Sequence, residues 1–314
     1  MKKITCREFT QQGFTLVEMI VVIVITGIIG GMVAMFVRAP VQGYVDSGRR
    51  ATMTDVADTT VRRISRDLHL ALPNSVRVGG GGLLIEFLPT TGGGRYRSAA
   101  AGGTGSCAAV AGNTEGDALS FTAADTCFEV VGPMPPLAVG DQVVVNNLGI
   151  PGADAYAGNV LNTHNRRAVI APLGANNIRL NSANRMPLDA CQFDLATGSA
   201  RRCRFQVINT PVTYACAPAA GGVGGTLTRY WGYPIQAVQS ANEAALQGLP
   251  GVRSALIANN VGAIGGGGCT FTYNANAVAQ RTGVVTMALT LTITPPDGQR
   301  GESVVLFNAT QVKN

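Results

Sequence analysis

Glu18 is the residue whose chemistry most needs explaining. It stands near the start of a run, Phe14 to Val37, in which every other residue is apolar or small except Thr15 and Thr26. About two dozen such residues are enough for a helix to span a bilayer. An acid inside such a span is costly unless a cation meets it, so intramembrane acids usually have a partner and a purpose. A carboxylate this near the end of the run can alternatively reach the headgroups. Lys2, Lys3 and Arg7 precede the run, with Glu8 the one acid among them. Basic residues favour the cytoplasmic side. The run therefore reads as one span with a cytoplasmic N-terminus and the rest of the chain outside. An ordinary secretory signal has a shorter apolar core followed by a small-x-small site. "GMVAMFVRAP" supplies such a site only weakly, and the abrupt boundary lies earlier, where Gly13 meets Phe14.

Elsewhere the residue types that do catalysis are scattered. His69 and His164 share no motif, and both read as structural histidines. Asp189 and Asp194 flank Cys191, but two acids without a ligand ladder make a poor calcium loop. The glycine runs Gly79 to Gly82 and Gly265 to Gly268 are not followed by Lys and Ser/Thr, so they read as turns rather than phosphate loops. Neither G-x-S-x-G nor H-E-x-x-H occurs. The expectation is a protein that is not an enzyme and carries no metal or cofactor. Its net charge of +6 is too small and too dispersed to argue for a nucleic-acid partner.

The stretch "QQGFTLVEMIVVIVITGII" resembles the class III signal of type IV pilins and type II secretion pseudopilins: basic leader, Gly13, Phe14, then Glu18. The resemblance implies that a prepilin peptidase cuts after Gly13 and methylates the new amine of Phe14. It also implies that the helix packs into a filament core, where Glu18 pairs with the Phe14 amine of a neighbouring subunit. An acid in hydrocarbon is then met by a cation, and the pair fixes axial register. "TTVRRISRDLHLALPNSVRV" is similar to the helix end of the J-type minor pseudopilins and their pilus counterparts. Within the family the chain is most similar to those and to the O-type minor pilins of mannose-sensitive haemagglutinin (MSHA) pili.

Cleavage at Gly13 removes Cys6 and leaves Cys107, Cys127, Cys191, Cys203, Cys216 and Cys269. An even set outside the cytoplasm reads as disulfides, with buried free thiols as the alternative. The sequential pairing is expected because short loops close most easily, Cys216 with Cys269 being the longest. Zinc is disfavoured, since there is no C-x-x-C pair and there are only two histidines.

Four segments must position these residues: a cleaved leader 1–13, a membrane and filament-core helix 14–37, its amphipathic continuation 38–72, and an extracytoplasmic head 73–314. In the continuation Val56, Thr60, Ile64, Leu68 and Leu72 step by four along one stripe. The intervening Arg and Asp residues read as an ion-paired face, or as a packing face against neighbouring subunits. Pro40 and Gly43 can kink the helix, Gly27, Gly30 and Gly31 weaken it within the span, and Pro73 is expected to end it. Strand candidates then dominate: "SVRV", "LLIEFL", "ALSFT", "FEVVG", "DQVVVNN", "RRAVIA", "NIRLN", "RFQVINTPVTYAC", "TLTRYWGYPI", "VVTMALTLTIT" and "ESVVLFNAT". Met287, Leu289, Leu291 and Ile293 show the clearest period of two, and "ANEAALQGL" is the one helical candidate. Tyr230, Trp231 and Tyr233 fill the core or form a contact surface.

The fold expected is α+β, a long N-terminal helix packed on a β-rich, disulfide-stapled head. What the resemblance implies is a minor pilin of a type IV, MSHA-like pilus at or near the filament tip. It would be held in the inner membrane by one pass before assembly and would stand on the cell surface after it. Its partners would be prepilin peptidase, other major and minor pilins, and the inner-membrane assembly platform. A J-type secretion pseudopilin and a membrane-tethered periplasmic adhesin or enzyme are the alternatives.

Overall fold

The computed structural model describes residues 13–98, 107, 110, 118–121, 125–157, 166–173, 176–181, 191, 203–220, 223–278, 282–294 and 301–313. The leader residues 1–12, His164, Asp189 and Asp194 lie outside the described residues. The chain divides into two compact units, Met1–Thr52 and Met53–Asn314.

Helix α1, Leu16–His69, crosses that division and passes through Pro40 without a break. Its first part is long and apolar enough to cross a membrane, and the large apolar side chains from Phe14 to Val45 are exposed. From Met53 one stripe turns inward: Met53, Ala57, Thr60, Val61, Ile64 and Leu68 are buried. This is the expected ladder broadened to the width of a packed helix face. The helix ends at His69, four residues before Pro73. Leu70 N–H donates to Asp67 O and Ala71 N–H to Leu68 O, so tighter i to i+3 bonds close the last turn before the proline is reached. Leu72 then joins the sheet region, its N–H donating to Leu88 O at 2.7 Å.

The head is all antiparallel. β1 (Arg77–Gly79) and β2 (Leu84–Phe87) open it as a hairpin. Gly80, Gly81 and Gly82 turn the chain between them at φ of 59°, 68° and 92°, which side chains rarely tolerate. β3 (Thr90–Arg95), β4 (Cys127–Glu129), β5 (Gln142–Val144), β6 (Arg166–Leu173), β7 (Asn177–Leu180) and β8 (Arg204–Ile208) follow. Then come β9 (Val212–Ala217), β10 (Thr226–Trp231), the short helix α2 (Glu243–Gln247), β11 (Arg253–Asn259), β12 (Cys269–Val278), β13 (Thr282–Ile293) and β14 (Glu302–Lys313). The expected strand at "ALSFT" does not form among the described residues. Strands β3, β11 and β12 were not expected. "RFQVINTPVTYAC" splits into β8 and β9, because Pro211 cannot donate to a ladder.

These strands make a platform with an insertion. A five-stranded sheet, β1-β2-β9-β10-β11, and a three-stranded one, β12-β13-β14, enclose the inward stripe of α1. Ile85, Phe87, Tyr214, Leu227, Phe271, Val285, Met287, Leu289 and Leu291 complete that core. β2 pairs directly with β9, so β3 to β8 are inserted between two neighbouring strands of the platform. The inserted strands run β3-β8-β5-β6-β7-β4. Tyr96 bridges Val130, Val131 N–H donates to Arg95 O at 2.7 Å and Arg97 N–H to Glu129 O at 3.1 Å. Those bonds join the ends of the two outer strands and so roll the six strands into a barrel. The barrel has its own core, with Phe128 and Phe205 edge to face at 5.4 Å among Val143, Val207, Ile178 and Leu180.

Disulfides join Cys107 to Cys127, Cys191 to Cys203, and Cys216 to Cys269. The first two belong to the barrel. The third ties β9 to the start of β12 and so clamps the two platform sheets together. The result is an α+β protein: one long N-terminal helix and a β-rich head stapled by three disulfides.

Candidate functional site

Gly13, Phe14, Thr15 and Glu18 meet at the start of α1. Thr15 is the residue just before the helix, and Glu18 is its third residue. Thr15 Oγ1 accepts from Glu18 N–H at 3.3 Å, while Thr15 N–H donates to Glu18 Oε2 at 3.0 Å. Thr15 Oγ1–H also donates to Oε2, at 3.1 Å. This is a reciprocal capping box, in which each residue satisfies a backbone donor of the other at a helix end that would otherwise leave it bare. The expected roles of Glu18 were pairing with a neighbouring amine or reaching the headgroups, and capping was not among them. The T-x-x-E spacing of "TLVE" carried the capping role in plain sight.

The box aims the carboxylate backwards, towards Phe14. Both Thr15 donors go to Oε2, so Oε1 remains able to accept from a cation outside the helix. Gly13 has open space where a Cβ would stand, and Phe14 is 84% exposed. The segment before the helix is therefore uncovered on the described chain.

A second constellation, buried in the head, fixes the barrel on the platform. Glu86 on β2 is only 1% exposed and receives Arg77 Nη2 at 2.6 Å. Arg77 also donates to the carbonyls of Ala237 and Gln236, and its guanidinium lies 3.6 Å from the ring centre of Tyr156, which comes from the insertion. Thr213 Oγ1 donates to Glu86 Oε2, and Tyr233 OH shares a 2.6 Å bond with Thr213. Burial raises the Glu86 carboxyl above its ordinary value, and Arg77 opposes that shift. Burial also pushes the Tyr156 and Tyr233 hydroxyls up, so both stay protonated. Around this network Leu72, Leu88, Val144, Ala155, Tyr156 and Ile208 form an apolar seam between barrel and platform. Asn147 on the insertion donates to Pro73 O at 2.7 Å, and Asn74 Nδ2 donates back to Asn147 O at 2.9 Å.

Asp67 departs from the expected helix-surface pairing. It accepts from Arg229 Nε at 2.9 Å and Tyr214 OH at 2.8 Å, tying α1 to β10 and β9. Burial, then Asp67, raises the Tyr214 hydroxyl. The other expectation, of pairs along the helix surface, describes Arg62 with Asp58 and Arg49 with Asp46. Tyr230 and Tyr233 are buried and belong to the core, while Trp231 is half-buried with the Arg229 guanidinium 5.1 Å from its ring centre. His69 is exposed in the last turn of α1. Among the described residues no three His, Cys, Asp or Glu side chains gather as metal ligands.

Residues 9–34 match the family described as the prokaryotic N-terminal methylation motif. That motif, on an apolar helix that opens with a carboxylate, supports the class of type IV pilins and pseudopilins. It implies processing by prepilin peptidase, assembly with other pilins, and anchoring in the inner membrane before assembly. No curated protein and no solved structure matches the chain.

Proposed function

We propose that this chain is a minor pilin of a type IV, MSHA-like pilus. It is cut after Gly13, N-methylated at Phe14 and inserted by α1 at or near the filament tip, where it starts assembly or displays the tip. The observation that carries this reading is the methylation motif placed on a helix start where Glu18 has one oxygen held by Thr15 and the other available to a neighbour's Phe14 amine. The head supports a minor rather than a major role. A barrel inserted between β2 and β9 makes it bulky, and bulk is tolerated best where no subunit stacks above. The chain acts as a structural and interaction protein, with the energy for assembly supplied by other components. A secretion pseudopilin of the J type uses the same helix physics, and the motif supports it equally.

Mass spectrometry of the N-terminus, on membrane-extracted protein with and without prepilin peptidase, tests the reading. An N-methylated Phe14 that depends on the peptidase is the expected result. A retained Met1, or a start beyond Val37, would turn the span into an ordinary anchor or signal. Labelling of intact cells then separates pilus from pseudopilus, since only a pilus carries the head beyond the cell surface. Label along the whole shaft at the abundance of a major subunit would refute the tip position.

A further inference from the structure

The two platform sheets differ in what covers their outer faces. Outside the five-stranded sheet, Leu246 of α2 packs with Leu84, Ala215, Tyr230 and Tyr233, joined by Leu249 and Val252. Outside the three-stranded sheet Thr270, Thr272 and Thr286 are exposed, as are Val305 at 51% and Phe307 at 79%. The inner face of that sheet is already occupied, since Met287, Leu289 and Val312 are buried and Ser65 of α1 bonds Asn308 and Thr310. The outer face carries no charge from Ser303 to Gln311, nor on the residues of β12 and β13 paired beside them. A bare phenylalanine and valine on an uncharged sheet face mark a contact surface.

Register sorts the outer face into rows. Thr270, Ala288 and Phe307 stand in one row, and Thr272, Thr286 and Ala309 in the next. These two rows line an open hollow of about 630 Å³. Its floor is low at Ala288 and Ala309, and Phe307 and the threonines stand higher around it. The Thr272 and Thr286 hydroxyls bond each other across the strands, so covering them strands neither. Along the two strands the bulk alternates: Phe307 stands beside Ala288, and Ala309 beside Thr286.

We infer that this face packs on the same face of a second copy of this chain, about a two-fold axis that runs along the strands between β13 and β14. Such an axis lays β14 of each copy over β13 of the other and brings every row onto itself. Phe307 then fills the hollow over Ala288 of the other copy, and Ala309 leaves room for Thr286, so large meets small. The two Phe307 rings pass one strand spacing apart, about 4.7–4.9 Å, within the range of favourable aromatic pairs. Sheets packed in this way lie about 10 Å apart with their strands nearly aligned. The axis also preserves the sense of α1, which packs along the inner face of the sheet. Rotation about the strand direction leaves motion along it unchanged. Both chains therefore enter their heads from the same side, as two chains anchored in one membrane must. An isologous contact closes on itself, so it makes a pair and not a row. A face about 30 Å long and three strands wide covers about 800–1,000 Å² over the two copies, which is the size of a transient contact. A shared membrane strengthens such a contact by raising the effective concentration. The pairing goes beyond the pilin reading and requires only the anchor.

The test is made in membranes that carry the full-length chain, in a Cys6→Ser background so that no leader thiol reacts. Ala309→Cys and Thr286→Cys are placed on two differently tagged copies, which are co-expressed and mildly oxidised. The expected product joins the two tags and contains a peptide linked between positions 309 and 286. It far exceeds what either variant forms when co-expressed with the parent. Val139→Cys, 75% exposed on the insertion, is the control that does not link. Adding Phe307→Asp to both copies removes the ring and sets two acids side by side, which lowers the linked fraction about tenfold or more. Phe307 is exposed, so the fluorescence melt of Trp231 stays unchanged in that variant. The inference is overturned by a linked fraction no better than the control, by a product that contains another protein instead, or by linking that survives Phe307→Asp. N-terminal mass spectrometry of the same membranes reads processing independently, so failure of the pairing and failure of the pilin reading are distinguished.

Discussion

Replacing Arg77 by Met keeps the apolar stem and removes only the guanidinium, which makes it a sharp probe of how the barrel is held. Glu86, 1% exposed, then retains only the neutral hydroxyls of Thr213 and Tyr233 as partners in the network described above. Removing one partner of a buried ion pair costs about 3–5 kcal/mol, because the other is left as an uncompensated charge. The lost stacking on Tyr156 adds up to about 2 kcal/mol. Allowing for the 20% exposure of the arginine side chain, about 4 kcal/mol is a fair total. For a head of this size about 2–4 °C of melting temperature corresponds to each kcal/mol, which predicts a fall of about 8–16 °C. The sole tryptophan, Trp231, lies half-buried on the platform and reports the melt by fluorescence. The double variant Arg77→Met with Glu86→Leu recovers most of the loss, since replacing a buried pair by apolar groups is often neutral. The pH dependence has a definite sign. Glu86 is raised in the folded state, so the folded head holds this proton more tightly than the unfolded chain. Stability from this group is present below the ordinary carboxyl value and is lost as pH rises through the raised folded value. Without Arg77 the carboxyl rises further, so the penalty of the single variant is smaller at pH 5 than at pH 8. A single variant melting within about 2 °C of the parent, or a double no better than the single, would refute the reasoning.

At the helix start, Glu18→Gln keeps the capping box, which accepts Glu or Gln, but removes the charge, whereas Thr15→Ala removes the box and keeps the charge. If pairing governs assembly, Glu18→Gln abolishes recovery in sheared filaments. Thr15→Ala costs about 1 kcal/mol of helix start, or about fivefold at most; equal defects would assign the role to capping. Opening the disulfides singly by paired Cys→Ser changes should destabilise the head in order of loop length, 53, 20 and 12 residues for Cys216–Cys269, Cys107–Cys127 and Cys191–Cys203. Chain entropy puts these at about 4, 3.3 and 2.8 kcal/mol, and denaturant midpoints that reverse the order would count against loop closure as the cause. Gly225→Ala drives a Cβ to within 1.8 Å of Val261 O, a backbone atom that cannot step aside, and should cost about 3 kcal/mol or more in a denaturation series. Gly248→Ala meets nothing nearer than 3.7 Å and should stay within about 1 kcal/mol, so equal effects would show that crowding is not the reason.

The helix was the most legible element because its two signals are local. An apolar run and a stripe stepping by four each lie within a few turns, and packing extended the stripe to Met53, Ala57 and Val61 without changing its phase. Most strand positions were legible for the same reason, through alternation like that of Met287, Leu289 and Leu291. β3 was not, since the three glycines of "TTGGGR" outweigh the strand propensity of its two threonines. It lies flat because Gly93 and Gly94 admit Phe205 so closely that a Cβ would stand 2.9 Å from its carbonyl oxygen and 2.8 Å from its ring. The insertion itself could not be read. β2 and β9 are neighbours only in space, with 124 residues between Phe87 and Val212. A similar distance hides Tyr214 and Arg229 from Asp67, whose charge looked like an ordinary helix-surface residue, and Tyr156 from Arg77, although Glu86 lies only nine residues from Arg77 across the first hairpin. Of the candidate site, the spacing of Gly13, Phe14 and Glu18 was visible, and the capping box was visible but unread.

An insertion between adjacent antiparallel strands has a physical consequence for a protein of this class. β2 and β9 remain paired whether the connection between them is a short turn or a barrel, so the platform that buries α1 need not change when the connection grows. Lengthening a connection costs little, because closure entropy rises only with the logarithm of length. What a large insertion does threaten is orientation. A barrel on two strands would swing unless its first and last residues are held, and here they are. Thr90 N–H donates to Leu70 O, Leu88 and Ile208 pack in the apolar seam, and Arg77 is clamped between Glu86 and Tyr156. The seam therefore separates two tasks in one chain. In the proposed reading residues 13–18 supply the chemistry of processing and register, while the platform holds the helix and the barrel is joined to it only at the seam. Loosening the seam should leave the Phe14 end chemically intact while freeing the barrel, so Arg77→Met should still be cut after Gly13. If that variant were properly oxidised yet uncut, the head and the processing site would be coupled, and the separation argued from the fold would be wrong.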